Sequence, residues 1–182
     1  MIKLVIQLCM LLIFVVTSSF GQDIRVKNID FQVLVPSGDA QVKGYQYQAL
    51  ASRIKTLFGN SVSFSNQSSF YIRPQIKILT THTAGEVQDV KVLKVELSFT
   101  LENPDLDLTF SSFKKNVIVT AESRDLAIKK AIQELRATDK NLQLFVQNGE
   151  QSIRDFYTAN CAKIIQSSQV RIARKEYASA FS

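Results

Sequence analysis

The segment VKVLKVELSFTLEN alternates apolar and polar side chains more strictly than any other part of this chain. Successive side chains of a β-strand point to opposite faces of the sheet. The pattern therefore predicts a strand with one face in the core and the other in water. The inward residues are Val95, Leu97, Phe99 and Leu101, and the outward residues are Lys94, Glu96, Ser98, Thr100 and Glu102.

Three other segments show the same period of two. IRVKNIDFQVLVPSG alternates as far as Val35 and stops at Pro36. In SSFYIRPQIKIL, Pro74 cannot donate a hydrogen bond to a neighbouring strand, which predicts an edge strand or a bulge there. In LDLTFSSFKKNVIVTA the apolar parity switches within one strand, which predicts a β-bulge near Ser111 and Ser112.

The remaining segments have a helical period. GYQYQALASRIKTLFGN predicts one helix between the strands, and Ser123 is a good N-cap for another. KNLQLFVQNG predicts a shorter helix, and a long helix begins near Glu150 with an apolar stripe that includes Cys161. We therefore expect an α+β fold: a small antiparallel sheet of four to five strands with helices on one face, followed by a C-terminal helical segment.

The chain is expected to have three parts. Residues 1–21 have a basic start, an apolar run and small residues at the cleavage point, so they predict a secretory signal peptide cut after Gly21. The apolar run is too short to span a bilayer, and we expect no stable membrane anchor after cleavage. Residues 22–122 form the sheet domain with one helix. Residues 123–182 form helices that pack on the sheet and end in a repeat-like helical hairpin.

Charge and cysteine content limit the possible partners. The 182 residues carry a formal net charge of +6, and removal of the signal peptide leaves Cys161 as the only cysteine. One thiol cannot form an internal disulfide, although an intermolecular one stays open. For an exported basic protein we expect a protein partner or an anionic envelope surface, and no nucleic acid, because the basic pairs lack interleaved aromatic residues. Formation of a homo-oligomer also stays open.

No residues are assigned to a catalytic, cofactor or metal site. Cys161 has apolar neighbours on its helix face and is expected to be a small core residue. His82, in TTHTAG, is expected in a turn; as the only histidine it would have to be the base of any serine hydrolase triad. Asn103, Asp105 and Asp107 resemble the start of a calcium loop, but the required Gly and Glu are missing further on, so we expect a hairpin turn.

The segment SVSFSNQSS alternates polar and aromatic residues and carries no charge. A strand of this composition at the edge of a sheet can pair with another chain. This suggests an alternative function, a structural subunit of a surface or phage-related assembly that polymerises through this edge at Phe64.

The last stretch, AKIIQSSQVRIARKEYASAFS, resembles the start of a tetratricopeptide repeat. Ser168 and Ala180 stand in the relation of the two small residues of that repeat, Tyr177 supplies an aromatic residue, and Ile164 an apolar one. Arg171 departs from the pattern, which has an aromatic residue there. Because one incomplete helical pair cannot bury its own apolar face, we expect that the chain continues beyond Ser182, or that its last helix docks on its own sheet or on another subunit.

The body of the chain loosely resembles a group of exported envelope domains, on the helix residues Ala127, Ala131 and Ile132 after a hairpin. The group includes the periplasmic domain of the curli-secretion pore, the lipoprotein activators of penicillin-binding proteins and the N-terminal domain of the Tol–Pal propeller protein. The signal ending SFGQ is similar to those of Bacteroidota. These resemblances imply an assembly or adaptor role and bring no catalytic residue.

The leading hypothesis is therefore a non-enzymatic, periplasmic or secreted envelope protein that acts in protein binding or assembly. A hydrolase that uses His82 is the third hypothesis, after the edge-strand assembly. No cofactor is expected.

Overall fold

The computed structural model describes residues 29–84 and 90–176. The fold is α+β, as predicted, and within these residues it has five strands in one sheet and three α-helices. The strands are β1 (Asp30–Val33), β2 (Ser63–Phe64), β3 (Tyr71–Ala84), β4 (Val90–Asn103) and β5 (Leu108–Ala121). The helices are α1 (Gly44–Phe58), α2 (Arg124–Gln133) and α3 (Lys140–Ala173). The predicted signal peptide lies outside the described residues, as do Tyr177 and Ala180 of the repeat-like end.

The sheet has the order β2-β1-β3-β4-β5 and is mixed, although an antiparallel sheet was predicted. The strand β1 pairs in parallel with both of its neighbours, β2 and β3. The reason is the crossover helix: α1 follows β1 and returns the chain to the end of the sheet from which β1 started. The strands β3, β4 and β5 pair antiparallel, as predicted.

Both predicted strand irregularities are confirmed. On β5, Ser111 pairs with Leu101 and Thr109 pairs with Glu102, which leaves Phe110 as a bulge beside the predicted position. Within the described residues, β1 pairs only with Tyr71 and Ile72 of β3. Pro74 therefore lies on a free edge, where its missing N–H removes no hydrogen bond from the sheet.

All three helices pack on the same face of the sheet, as predicted. The core is one continuous cluster formed by their apolar faces and the inward strand residues, and its largest fully buried members include Phe31, Leu50, Ile54, Leu97, Phe99 and Leu142. The opposite face of the sheet carries exposed polar side chains such as Arg73, Gln75 and Lys77. The alternation in the sequence therefore predicted correctly which residues of β4 are buried, whereas Val35, the last residue of the predicted first strand, lies beyond β1 and is 46% exposed.

Local capping explains where α2 and α3 begin. The Ser123 hydroxyl accepts a hydrogen bond from the Leu126 N–H, which confirms the predicted N-cap of α2. Asp139 caps α3 by accepting from the N–H groups of Asn141 and Leu142. Its other oxygen accepts a 2.9 Å hydrogen bond from the Lys115 ammonium on β5, so the start of α3 is also tied to the edge of the sheet.

The helix α3 runs from Lys140 to Ala173 without a break, whereas a short helix and a separate long one were predicted. The shorter helix was predicted to end at Gly149, and glycine is common just after a helix end. Gly149 instead is the tenth of the 34 residues of α3 and is buried. The second helix of the predicted hairpin would lie outside the described residues.

Candidate interaction surface

The first part of α3, Lys140–Ile153, is here called the buried half because its apolar face lies in the core. The Phe145 ring is 2% exposed and lies between aromatic side chains of α1, β4 and β5. The ring centroids are 6.2 Å from Phe58, 6.2 Å from Phe99 and 6.4 Å from Phe113. This half of the helix is therefore held by close packing on three other elements.

Gly149 allows α3 to cross the sheet at short range. A Cβ atom at this position would overlap the Leu101 side chain of β4 and would approach the Ser111 Cβ of β5 to 3.3 Å. Glycine is unfavourable in a helix interior by about 1 kcal/mol relative to alanine, so this position is kept for close approach rather than for helix stability. The close approach brings the next turns of α3 against the end of the sheet.

An aromatic cluster forms where α3 leaves the sheet. Phe70, just before β3, lies edge-to-face with Phe110 at 5.8 Å and with Tyr157 at 6.2 Å. Phe156 in turn contacts Phe110 at 6.0 Å and Tyr157 at 5.3 Å, again edge-to-face. The bulge on β5 places Phe110 in this cluster. Partial burial in the cluster raises the pKa of the Tyr157 hydroxyl above its ordinary value.

Beside this cluster the surface has an open apolar groove of about 660 Å³, here called the end groove. Its volume is in the range of ordinary ligand and side-chain binding sites, about 300–1,000 Å³. Its wall includes Ile29, Phe70, Ile153, Arg154, Tyr157 and Cys161. Apart from Arg154, these side chains offer apolar or aromatic surface, so the groove suits an apolar occupant.

The second part of α3, Phe156–Ala173, is here called the exposed half. Five residues at helical spacing continue one face of the helix away from the end groove, and this face is here called the α3 stripe. The α3 stripe consists of Tyr157, Cys161, Ile164, Ser168 and Ile172. Tyr157 and Ile164 are each 37% exposed and Ile172 is 41% exposed, and Ile165 beside them is 52% exposed. Beyond Tyr157, which packs against Phe70, no element of the described residues covers this face.

Charges are distributed unevenly along α3. Of the described residues that line the end groove, Arg154 alone is charged. At the far end of α3 the described residues include Arg171, Arg174, Lys175 and Glu176. The exposed half itself contains Lys163 and Arg171 and no acidic residue, so its charge is basic.

The prediction that Cys161 is a small core residue is wrong, because the thiol is exposed on the α3 stripe. The helical period had placed Cys161 correctly on one face with Tyr157 and Ile164. The error was to assume that this face is covered. Periodicity shows which residues share a face, and it does not show whether another element packs there.

His82 lies within β3, paired with Val92, and not in the predicted turn. His82 is exposed. It lies eleven residues from Tyr71, and Tyr71 is at the end of β3 nearest the end groove. At about 3.3 Å per residue this separation is roughly 35 Å, so His82 and Cys161 lie at opposite ends of the sheet. Within residues 29–84 and 90–176, no three His, Cys, Asp or Glu side chains are placed to hold a metal ion.

The predicted edge strand is confirmed in position but not in length. The strand β2 lies at the edge of the sheet and covers only Ser63–Phe64. Phe64 is partly buried against the core, and the Ser65 N–H donates to the Phe31 carbonyl.

Asn103, Asp105 and Asp107 form the predicted turn, in which the Asn103 side chain accepts from the Leu106 N–H.

A polar cluster at the start of α1 and α2 has a structural role. Asp125 accepts 2.8 Å hydrogen bonds from the Lys43 ammonium and the Tyr45 hydroxyl. The Lys43 ammonium, followed by the Tyr45 hydroxyl, holds the pKa of Asp125 below its ordinary value, and Asp125 in turn raises the pKa of Lys43 and of Tyr45. These contacts join two helix starts on the surface and leave no carboxylate free for chemistry.

Comparisons with known proteins give structural likeness only. No family model matches the sequence, and no curated protein matches it. A minor lipoprotein from Acinetobacter baumannii is 11% identical with a TM-score of 0.41 and covers 68% of this chain and 94% of its own. A Xanthomonas campestris protein of the DUF330 family is 14% identical with a TM-score of 0.46 and covers 70% and 89%. Likeness at this level says nothing about what the present chain binds.

Within the described residues, no helix combines the length and the apolar composition needed to cross a lipid bilayer.

Proposed function

We propose that the protein is an exported, non-enzymatic protein of the cell envelope that acts in binding or assembly through the end groove and the α3 stripe. The observation that carries this proposal is the change of surroundings along α3. The apolar face of the helix continues past Ile153, but the sheet that covers it ends at the aromatic cluster. Export and envelope location rest on the sequence of residues 1–21, and they stay predictions.

The composition of the surface supports a protein occupant. Aromatic and aliphatic side chains around a groove are typical of the centres of protein interfaces, where anchor side chains insert into pockets. A helix that lies in an apolar groove is one of the recurrent modes of recognition between proteins. The α3 stripe offers aliphatic side chains, and the end groove beside it offers a pocket for an anchor.

Neither alternative function has a specific observation in its favour. Polymerisation through an edge strand needs a row of free backbone groups, and β2 offers only two residues. A hydrolase that uses His82 would need a nucleophile and an orienting acid within hydrogen-bond reach. His82 lies exposed on β3, far from Cys161, and both alternatives stay untested predictions.

The test is capture from an envelope extract of cells that produce the protein. Tagged wild-type protein is compared with Ile164→Asp, which puts a charge in the α3 stripe. The matched control is Ile118→Asp, since Ile118 is 72% exposed on the open face of the sheet, away from α3. Bound chains, including untagged copies of the protein itself, are measured by quantitative mass spectrometry.

The proposal expects one or more chains to be captured by the wild type and by Ile118→Asp and to be lost, by tenfold or more, with Ile164→Asp. Equal capture by all three proteins would contradict the assignment of this surface. Circular dichroism of each variant shows that the fold is kept.

A further inference from the structure

We propose that the outer edge of β5 binds an extended segment of another protein chain, which joins the sheet as a further strand and carries an acidic side chain at each end. This edge is separate from the end groove, and the proposal does not depend on the function proposed above. Three features support it: a row of backbone groups without a neighbouring strand, the regularity of that row, and the lysine side chains at its ends.

The strand β5 ends the order of the sheet, so among the described residues only β4 pairs with it. The Ile72 carbonyl accepts from the Leu34 N–H, so the backbone groups of Ile72 point to β1 and those of its partner Leu101 point to β5. Leu101 pairs with Ser111, and bonded and non-bonded pairs alternate along antiparallel strands. The residues whose N–H and C=O groups point away from β4, here called the edge row, are therefore Ser112, Lys114, Asn116, Ile118 and Thr120.

The edge row lies in a stretch of regular pairing. From Ser111 to Ala121, β5 pairs with β4 without a bulge. The free part of β3, in contrast, contains Pro74 and a register shift between Ile78 and Thr80, and β2 covers only two residues. Proline, bulges and short length are devices that protect an edge strand from further pairing, and this stretch of β5 has none of the three.

The residues of the edge row are exposed. Their side chains lie on the open face of the sheet, and Ile118 is 72% exposed. Within the described residues, one backbone group of the row has a hydrogen-bond partner: the Thr120 carbonyl accepts a 2.8 Å bond from the Lys130 ammonium. A row of this kind is the template on which an extended segment adds as a strand through main-chain hydrogen bonds, while pockets beside it select the side chains.

A cavity that contains lysine side chains lies at one end of the edge row. It has a volume of about 360 Å³ between the end of β5 and α2, and its wall includes Ala121, Glu122, Lys129 and Lys130. Because Lys130 also bonds the Thr120 carbonyl, this cavity adjoins the outer edge of β5. A side chain opposite Ala121 on an added strand would face two ammonium groups and one carboxylate, a setting that favours an acidic side chain.

Lys114 lies near the other end of the edge row. Its side chain is 64% exposed, and its ammonium contacts the Glu96 carboxylate of β4 at 3.3 Å. An acidic side chain opposite Lys114 on an added strand would give this ammonium a second carboxylate from the other side. Lys115 is held by Asp139 and is not part of this site.

The two lysine positions set the spacing of the acidic residues in the bound segment. Lys114 and Ala121 are seven residues apart, so an antiparallel segment needs acidic residues at its first and eighth positions. Between them, apolar side chains fit beside Val117 and Val119 on the covered face, and polar side chains fit on the open face. The same lysines disfavour a second copy of this chain, because its β5 would bring further lysines to an edge that already carries them.

The first experiment measures binding of a probe peptide to the full chain. The peptide ETVTVTVE carries a fluorescent label on its N-terminus and an amide at its C-terminus, and KTVTVTVK has the same strand pattern with the opposite charge. By fluorescence anisotropy we expect the dissociation constant of the acidic peptide to be about tenfold lower than that of the basic peptide. It should rise with salt concentration, because salt screens exposed charges.

Asn116→Pro tests the edge row. The Asn116 N–H points away from β4, so proline removes no hydrogen bond from the sheet, but it removes one donor from the row and places its ring in the path of an added strand. We expect binding of the acidic peptide to be lost. The matched control Asn116→Thr keeps the N–H and should bind as the wild type does, and circular dichroism shows that both variants keep the fold.

Lys129→Glu tests the charge. It reverses one of the two ammonium groups at the cavity and should weaken binding of the acidic peptide by about tenfold. The matched control is Lys77→Glu, on the open face of β3, which should leave the dissociation constant unchanged.

The opposite results would overturn the proposal. No binding of the acidic peptide up to its solubility limit, or equal binding of the two peptides, contradicts the assigned partner, and undiminished binding to Asn116→Pro contradicts the assigned edge. A mass of two copies in light scattering, reduced to one by Asn116→Pro, would make a second copy the occupant. Ile164→Asp should leave peptide binding unchanged and Ile118→Asp should weaken it, so this edge and the end groove are tested separately.

Discussion

The two halves of α3 have similar side chains and opposite surroundings. In the buried half, Leu142 and Phe145 are 1% and 2% exposed, and they lie in the core that the sheet and α1 form with this helix. In the exposed half, Ile164 and Ile165 are 37% and 52% exposed. One helix of 34 residues therefore carries a face that stabilises the fold and a face that is exposed to solvent. The boundary between the buried half and the exposed half is therefore set by the end of the sheet, because the helix itself continues without a break.

The largest effect on this comparison is expected from Phe145→Ala. Removing a buried phenylalanine side chain loses its transfer free energy and leaves a cavity, so the free energy of unfolding should fall by about 3–5 kcal/mol. Urea denaturation followed by circular dichroism measures it. The matched change Ile165→Ala, in the exposed half, should alter the free energy of unfolding by no more than about 0.5 kcal/mol when measured on single copies. Equal losses for the two variants would mean that the exposed half is covered in the isolated chain.

A smaller effect is expected from Gly149→Ala, at the close approach of α3 to β4. The added methyl group overlaps the Leu101 side chain, and overpacking of this kind costs about 1–3 kcal/mol, against a gain of about 1 kcal/mol in helix propensity. We expect a net loss of about 1 kcal/mol in urea denaturation. In a Leu101→Ala background the overlap is removed, and the same substitution should become stabilising. If it destabilises both backgrounds equally, the crossing point is elsewhere.

The smallest effect is expected from Asp139→Asn at the start of the buried half. Asparagine keeps the helix cap but loses the ion pair with Lys115, which should cost about 0.5–1 kcal/mol at pH 7. The hydrogen bond from Lys115 holds the pKa of Asp139 below its ordinary value in the folded state. This contribution is therefore full above the unfolded pKa of about 4 and is lost as the pH falls through the lower folded pKa.

The measurement is the difference in unfolding free energy between the wild type and Asp139→Asn at several pH values. The difference should be constant near neutral pH and should shrink below about pH 4. A difference that grows as the pH falls would contradict the assigned ion pair.

Local features of this fold could be predicted from the sequence. The alternation of β4, the free edge at Pro74 and the cap at Ser123 each depend on a few neighbouring residues. The bulge at Phe110 was predicted within two residues, because a change of parity in one strand has no other simple cause. Residues that specify structure through their immediate neighbours can be interpreted without knowledge of the rest of the chain.

Features that depend on distant residues could not be predicted. The parallel pairing of β1 follows from the path of α1, and Gly149 lies inside α3 at a point where the Leu101 side chain of β4 leaves no room for a Cβ atom. The exposure of Cys161 depends on where the sheet ends, which no pattern within the helix records. The helical spacing of the apolar residues therefore indicated that these residues share one face of α3. That face was assigned to the core because apolar faces of helices usually pack inward.

The continuity of α3 has a mechanical consequence. About 20 residues extend beyond Ile153, and at 1.5 Å per residue they form an arm roughly 30 Å long. A tilt of about 5° at the sheet would displace the tip of this arm by roughly 2–3 Å, more than the tolerance of close packing between side chains. The closest approach of α3 to the sheet is at Gly149. A small repacking of the side chains between the helix and the sheet at this point would therefore change the position of the far end of the helix.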